Sequence, residues 1–176
     1  DVNRATRHGI YLQNRILDQL SAVFADRLAV FSVVEFDSGP ATDADDGKRQ
    51  IGEKPIAYVH SKLLIVDGDA AILGSANANG RSFLYDTEAA VRVLDRAAIG
   101  RLWATAAGSL TSNTAAAIDA SGDQVLASLT AAARRNLARP AEETDGMSDR
   151  AGLVPFERAV SDRLARKSIL VPDDLV

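Results

Sequence analysis

Apolar positions set out most of the architecture before any chemistry is considered. Between residues 8 and 25, Ile10, Leu12, Ile16, Leu17, Leu20 and Phe24 recur at helical spacing, with Gln13, Arg15 and Asp18 between them. That periodicity predicts an amphipathic helix. Residues 27–36 are rich in Leu, Val and Phe (Leu28, Val30, Phe31, Val33, Val34) and predict a largely buried strand. Residues 37–55 collect Gly, Pro and Asp and read as a loop. Residues 56–66 alternate as a strand does, Asp67-Gly68-Asp69 signals a tight hairpin, and residues 70–73 return as the second strand. A small-residue turn over 74–82 precedes a further strand over 87–94.

Beyond Asp95 the pattern changes. Residues 95–110, 114–120 and 123–137 are Ala-rich and helical in tendency. Residues 139–152 are polar and linker-like, and 156–167 form a last short helix before Pro172-Asp173-Asp174. No internal repeat is visible. Strands mixed with helices predict a layered α/β domain.

Composition narrows the function classes. At 176 residues the chain is the size of one domain, long enough to bury about 70% of its unfolded surface. Its apolar and charged fractions, 47% and 25%, are ordinary for a globular protein. No apolar run reaches the length of a membrane span. The polar start Asp1-Val2-Asn3-Arg4 has no signal-peptide pattern and no Met, so the chain reads as a mature or excised piece. The absence of cysteine excludes disulfides, thiolate metal sites and a Cys nucleophile. A net charge of −4 argues against a broad nucleic-acid-binding face. The Ala- and Arg-rich, Lys-poor composition fits a bacterium of high genomic GC. It leaves the cellular compartment open.

Candidate chemistry centres on His60-Ser61-Lys62. The chain has only two histidines, and its four lysines stand against sixteen arginines. On a strand, residues i and i+2 share a face about 6.5–7 Å apart. His60 and Lys62 are therefore expected to project together, with Tyr58 and Leu64 on the same face. A histidine can attack phosphorus or shuttle a proton near neutral pH, and a neighbouring lysine can neutralise a phosphate oxygen. The run Gly74-Ser75-Ala76-Asn77-Ala78-Asn79-Gly80-Arg81-Ser82 offers small residues that let backbone N–H groups approach an anion. Ser75 and Asn77 add side-chain donors. Glu88, on the next strand, is a carboxylate that can fix a histidine tautomer. Each element alone has an ordinary reading as a solvated face, a turn or a strand-start acid.

Together they form a recognisable pattern. His60-x-Lys62-x4-Asp67-x6-Gly74-Ser75-x-Asn77 resembles the catalytic motif of the phospholipase D superfamily. Tyr58-Val59, Asn79, Arg81, Ser82 and Asp86-Thr87-Glu88 extend the likeness to the second motif of true phospholipases D. Gly52-Glu53-Lys54-Pro55, Leu102-Trp103, Gly152-Leu153-Val154 and Leu170-Val171-Pro172 are similar to their C-terminal half. The specific part covers roughly residues 55–94.

The resemblance implies a mixed β-sheet flanked by helices. It implies a single C-terminal catalytic half over 1–176, with a motif-bearing core over 1–110 and a helical extension over 111–176. It assigns catalytic roles to His60, Lys62 and Glu88: His60 as acid/base, Glu88 orienting it. Lys62, Asn77 and Ser75 serve the substrate phosphate, the first two by binding its oxygens and Ser75 by supporting hydrogen bonds. Asp67 and Gly74 are structural.

The implied reaction opens a phospholipid head-group phosphodiester through a phosphohistidine, with transfer to an alcohol as a variant. It needs no metal and no cofactor. A complete site needs two motifs and this chain has one, since His8 lacks a lysine two residues on and reads as a helix-start or surface residue. The expected partners are therefore a first-motif half, from the same precursor or a second chain, a phospholipid, and transiently the membrane surface, with no nucleic acid. The alternatives are a single-motif homodimeric nuclease, a cardiolipin synthase-like phosphatidyltransferase, and a scaffold that has lost activity.

Overall fold

The computed structural model describes residues 4–36, 50–51, 54–140 and 151–168. Most of the expected 37–55 loop, the 141–150 part of the expected linker and the Leu170-Val171-Pro172 segment lie outside them. Helix α1 (Arg4–Phe24) opens the chain and ends in a 3-10 turn at Ala25–Arg27. Strand β1 (Phe31–Glu35) follows. Short strands β2 (Gln50–Ile51) and β3 (Lys54–Pro55) pair with each other inside what the sequence reads as loop. Strands β4 (Leu63–Val66) and β5 (Ala70–Gly74), short helix α2 (Gly80–Leu84) and strand β6 (Ala90–Val93) carry the motif. Helices α3 (Arg96–Thr111) and α4 (Gly122–Ala138), strand β7 (Ala151–Pro155) and helix α5 (Arg158–Leu164) complete the order.

The fold is α/β in content. The described strands form three antiparallel ladders, β1-β7, β2-β3 and β4-β5-β6. Strand β7 is absent from the sequence reading. It pairs with β1 from Phe31↔Pro155 to Glu35↔Ala151. The segment after residue 110 thus contributes a strand to the core as well as helices. Val34, Phe36, Ile51 and Val154 are buried together there, with Ile56 packed against them.

Gly152 permits this closure. A Cβ at that position would stand 2.7 Å from the Phe36 ring and 2.6 Å from the Asn136 amide. Asn136, on α4, donates to the carbonyls of Leu153 and Leu110 and so ties α3, α4 and β7 together. Buried Lys54 donates to the Leu137 carbonyl at the C-terminal end of α4, where helix carbonyls lack intrahelical partners.

Helix α1 packs on α5 through polar contacts. Arg158 grips the Asp18 carboxylate with both Nη atoms. Asn14 exchanges hydrogen bonds with Asp162 and Ser161. The Arg158 guanidinium holds the Asp18 carboxyl below the usual range. His8 is fully buried within α1, so the surface alternative is excluded, and its Nδ1 accepts from the Ser168 backbone N–H.

Helix boundaries follow their caps. Asp95 accepts from the Ala98 N–H to start α3, and Ser121 and Gln124 form a capping box on α4. Residues 114–120 do not form the expected helix. Ser112 and Asn113 take left-handed backbone angles, φ 51° and 58°, and the Ala116 carbonyl accepts from the Trp103 indole instead of a helical N–H.

Candidate active site

The motif sits on the β4–β5–β6 ladder and the turns at its ends. At one end, Asp67 (φ 52°) and Gly68 (φ 70°) both occupy the left-handed region, and Asp69 donates to Val66 across the turn. Such a tight, twist-matched hairpin is what the Asp-Gly pair is suited to form. Asp67 thus lies at the turn. Asp69 is ion-paired with Arg96 at the start of α3.

At the other end stand the candidate phosphate-binding residues. Gly74 is required by close approach: a Cβ there would meet the Ala89 carbonyl at 2.6 Å and the Ala90 Cβ at 2.7 Å. Its N–H donates to the Lys62 carbonyl at 3.2 Å. This anchors the residue bearing the ammonium to the start of the Ser75 turn.

His60 and Lys62 precede β4 rather than lying within a continuous strand. Of the expected 56–66 strand, only Leu63–Val66 is ladder-paired, with a single bridge from Ile56 to Val34. Residues 57–62 belong to no helix or strand, so strand alternation does not set the relative directions of His60 and Lys62. A specific contact links them instead: the Lys62 ammonium donates to the His60 carbonyl at 2.7 Å. The His60 ring is exposed and lies 5.9 Å from the Tyr58 ring. Among the described residues no hydrogen bond reaches that ring.

Glu88 is placed differently from the expectation that it orients His60. Its carboxylate accepts a short hydrogen bond from Ser75 Oγ. That bond, then one from Ser82, hold its pKa below the ordinary range despite partial burial, with Lys62 and Arg81 adding smaller cationic contributions. The physical reason lies in the turn. Ser75 Oγ also accepts from the Ala89 N–H at 3.0 Å, so the hydroxyl is locked beside the start of β6 and presented to Glu88.

The rest of the long motif also folds the loop. Asn79 caps α2 by accepting from the Ser82 N–H, Ser82 Oγ accepts from the Asn77 N–H at 3.0 Å, and Arg81 pairs with Asp86 at 2.7 Å. The Ser75 N–H donates to the Ala89 carbonyl, and those of Asn77 and Asn79 donate within the turn, so these three are not available to cradle an anion. Side chains that can donate to a phosphate are the remaining ammonium hydrogens of Lys62, the Asn77 amide and the His60 ring. Ser82 is the residue whose role the sequence reading missed. The spacing Asn79-x-x-Ser82, an N-cap and its third residue, was the available signal.

His60 and Tyr58 also line an open groove of about 1250 Å³ between the β4–β5–β6 ladder and α3. Among the described residues no cluster of His, Asp and Glu could hold a metal ion. No helix among them is long and apolar enough to cross a membrane.

This arrangement meets its relatives in the same stretch of chain. The family model described as cardiolipin synthase, PLD-like domain, matches residues 42–107. Phospholipase D1 of Homo sapiens is 41% identical over 85 residues, which are 47% of this chain and 7% of that protein. The likeness supports membership of the phospholipase D superfamily. Phospholipase D1 of Rattus norvegicus is 57% identical over 42 residues, covering 23% of this chain and 4% of that protein. Phospholipase D zeta 1 of Arabidopsis thaliana is 54% identical over 37 residues, covering 21% and 3%. The matched segments thus span less than a tenth of these relatives. No solved structure matches the chain.

Proposed function

We propose that the chain is the second-motif half of a phospholipase D, acting on the head-group phosphodiester of a phospholipid such as phosphatidylcholine. The observation that carries this reading is an exposed His60 with the Lys62 ammonium tethered to its carbonyl and near enough to Glu88 to help Ser75 keep that carboxylate ionised.

In the proposed reaction a histidine of the complementary half attacks phosphorus. The P–N bond forms as the bond to the head-group alcohol breaks, and His60 supplies the proton that the departing alkoxide takes. His60 then removes a proton from water, or from an acceptor alcohol, as its oxygen displaces the phosphohistidine nitrogen. Lys62 and Asn77 face the non-bridging oxygens, where negative charge builds. Glu88, held ionised by Ser75 and Ser82, balances the cationic Lys62 and keeps the turn in place rather than gripping the imidazole.

The half-enzyme reading is supported by the single motif and by apolar residues left exposed on the motif sheet, such as Leu64 and Ile72. The test is complementation. The chain alone should release no head group from phosphatidylcholine vesicles, and adding a phospholipase D N-terminal half should restore release. A chain that self-associates in light scattering and is active alone, on lipid or on DNA, contradicts the half-enzyme reading.

A further inference from the structure

From Ser75 to Glu88 the chain is exposed or half-exposed, with Ser82 its one buried residue. The motif resemblance gives Ser82 no role of its own. Its backbone N–H donates to Asn79 Oδ1 and so completes the cap of α2. Its hydroxyl does something different. Oγ accepts from the Asn77 N–H at 3.0 Å. A hydroxyl has one hydrogen beside its two lone pairs, and the hydrogen goes to Glu88, whose carboxylate Ser82, after Ser75, helps to hold ionised.

We propose that Ser82 is a positioning residue of the phosphate site: its hydroxyl fixes Asn77 by the backbone N–H and so sets how well the Asn77 carboxamide binds a phosphoryl oxygen, without itself touching substrate. The proposal deepens the phospholipase D reading and rests on it for the identity of the bound group.

The backbone of Asn77 is held on both sides, the N–H by Ser82 and the carbonyl by the Asn79 N–H at 2.8 Å. Asn77 is nevertheless exposed, and among the described residues its carboxamide has no hydrogen-bond partner. A free amide on a fixed backbone gives up less conformational freedom on binding than one on a loose turn. The competing account makes Ser82 a part of the α2 cap only. That cap bond uses the Ser82 N–H, which any residue but proline supplies. The hydroxyl serves Asn77 and Glu88 instead. Ser75 does not duplicate it, because Ser75 Oγ is engaged by Glu88 and by the Ala89 N–H.

The test is a double-mutant cycle on Ser82 and Asn77, read as kcat/KM for head-group release by the complemented enzyme. Ser82→Ala should lower kcat/KM about tenfold in the parent but by no more than about twofold when Asn77 is already replaced by Ala, because the two residues act as one unit. Ser82→Thr keeps the hydroxyl and should stay within about threefold of the parent. Additive losses, no loss from Ser82→Ala, or a loss in Ser82→Thr equal to that in Ser82→Ala overturns the proposal. Each of these leaves the phospholipase D reading standing, since the parent releases head group in the same assay. A second measurement needs neither catalysis nor a variant. In the full chain alone the Asn77 amide hydrogen should exchange at least about tenfold more slowly than its intrinsic rate, and inorganic phosphate should shift the NMR signals of the Asn77 carboxamide. An unprotected amide, or a carboxamide indifferent to phosphate, overturns the proposal. A protected amide and a phosphate-sensitive carboxamide, with no head group released from any lipid, support the role of Ser82 at an anion site and sink the phospholipase D reading.

Discussion

The β1–β7 body and the β4–β5–β6 motif sheet treat their apolar residues in opposite ways. In the body, Val34 and Val154 are wholly buried, Phe36 and Ile51 nearly so, and Asn136 and Lys54 are hydrogen-bonded where they are buried. On the motif sheet, Leu64, Val66 and Ile72 share one face and remain 55%, 48% and 43% exposed. Phe83 and Leu84 on the adjoining α2 are also exposed. The first region buries its apolar residues among the described residues. The second carries apolar surface of the kind that marks an interaction site, next to the polar groups of the candidate active site. Stability and chemistry are thus divided between two sheets, and that division can be broken experimentally.

The largest effect is expected in the body. Phe36→Ala removes a ring packed against Val34, Ile51 and Val154 and should cost about 3–5 kcal/mol in urea denaturation. Leu64→Ala on the motif sheet should cost only about 0.5 kcal/mol or less in the chain alone, yet weaken capture of the N-terminal half in the same assay used for complementation. Equal costs for the two variants would erase the distinction between the regions.

A smaller effect tests the turn. Glu88 has a folded-state pKa depressed by Ser75 first and Ser82 second. A depressed carboxyl contributes stability above its unfolded pKa and loses it as pH falls through the lower folded value. An NMR titration of the Glu88 carboxyl should therefore show a midpoint below the ordinary 4.5. Ser75→Ala should move it upward. Glu88→Gln should abolish the change in amide-exchange protection of the 75–82 turn, taken relative to the intrinsic exchange rate, across that interval. A midpoint at or above the ordinary value would mean that the Ser75 bond does not persist in solution.

Local signals made some of this legible in the sequence. The period of Ile10, Leu12 and Ile16 marked α1, and Asp67-Gly68 marked the hairpin. What stayed hidden depends on distant partners. Ala151–Pro155 contains Gly and Pro and resembles linker, and only pairing with β1, far back in the chain, makes it a strand. Residues 57–62 alternate as a strand does but, Ile56 apart, find no ladder partner. The Ala-rich 114–120 segment favours helix by propensity, but the left-handed pair Ser112-Asn113 and the contacts of Ala116 with Trp103 and Ser128 override it. At the site, residue identities came from motif spacing. The pairing of Glu88 with Ser75 did not, because spacing does not reveal which of two nearby donors a carboxylate will choose.

The most direct measurement is head-group release by the complemented enzyme carrying His60→Gln. The His60 ring is exposed and accepts no hydrogen bond from the described residues, so the variant should fold and associate as the parent does. Release should fall by about 10²–10⁴-fold, as expected for loss of a general acid–base group. Release within a few-fold of the parent would mean that His60 does not act in the reaction.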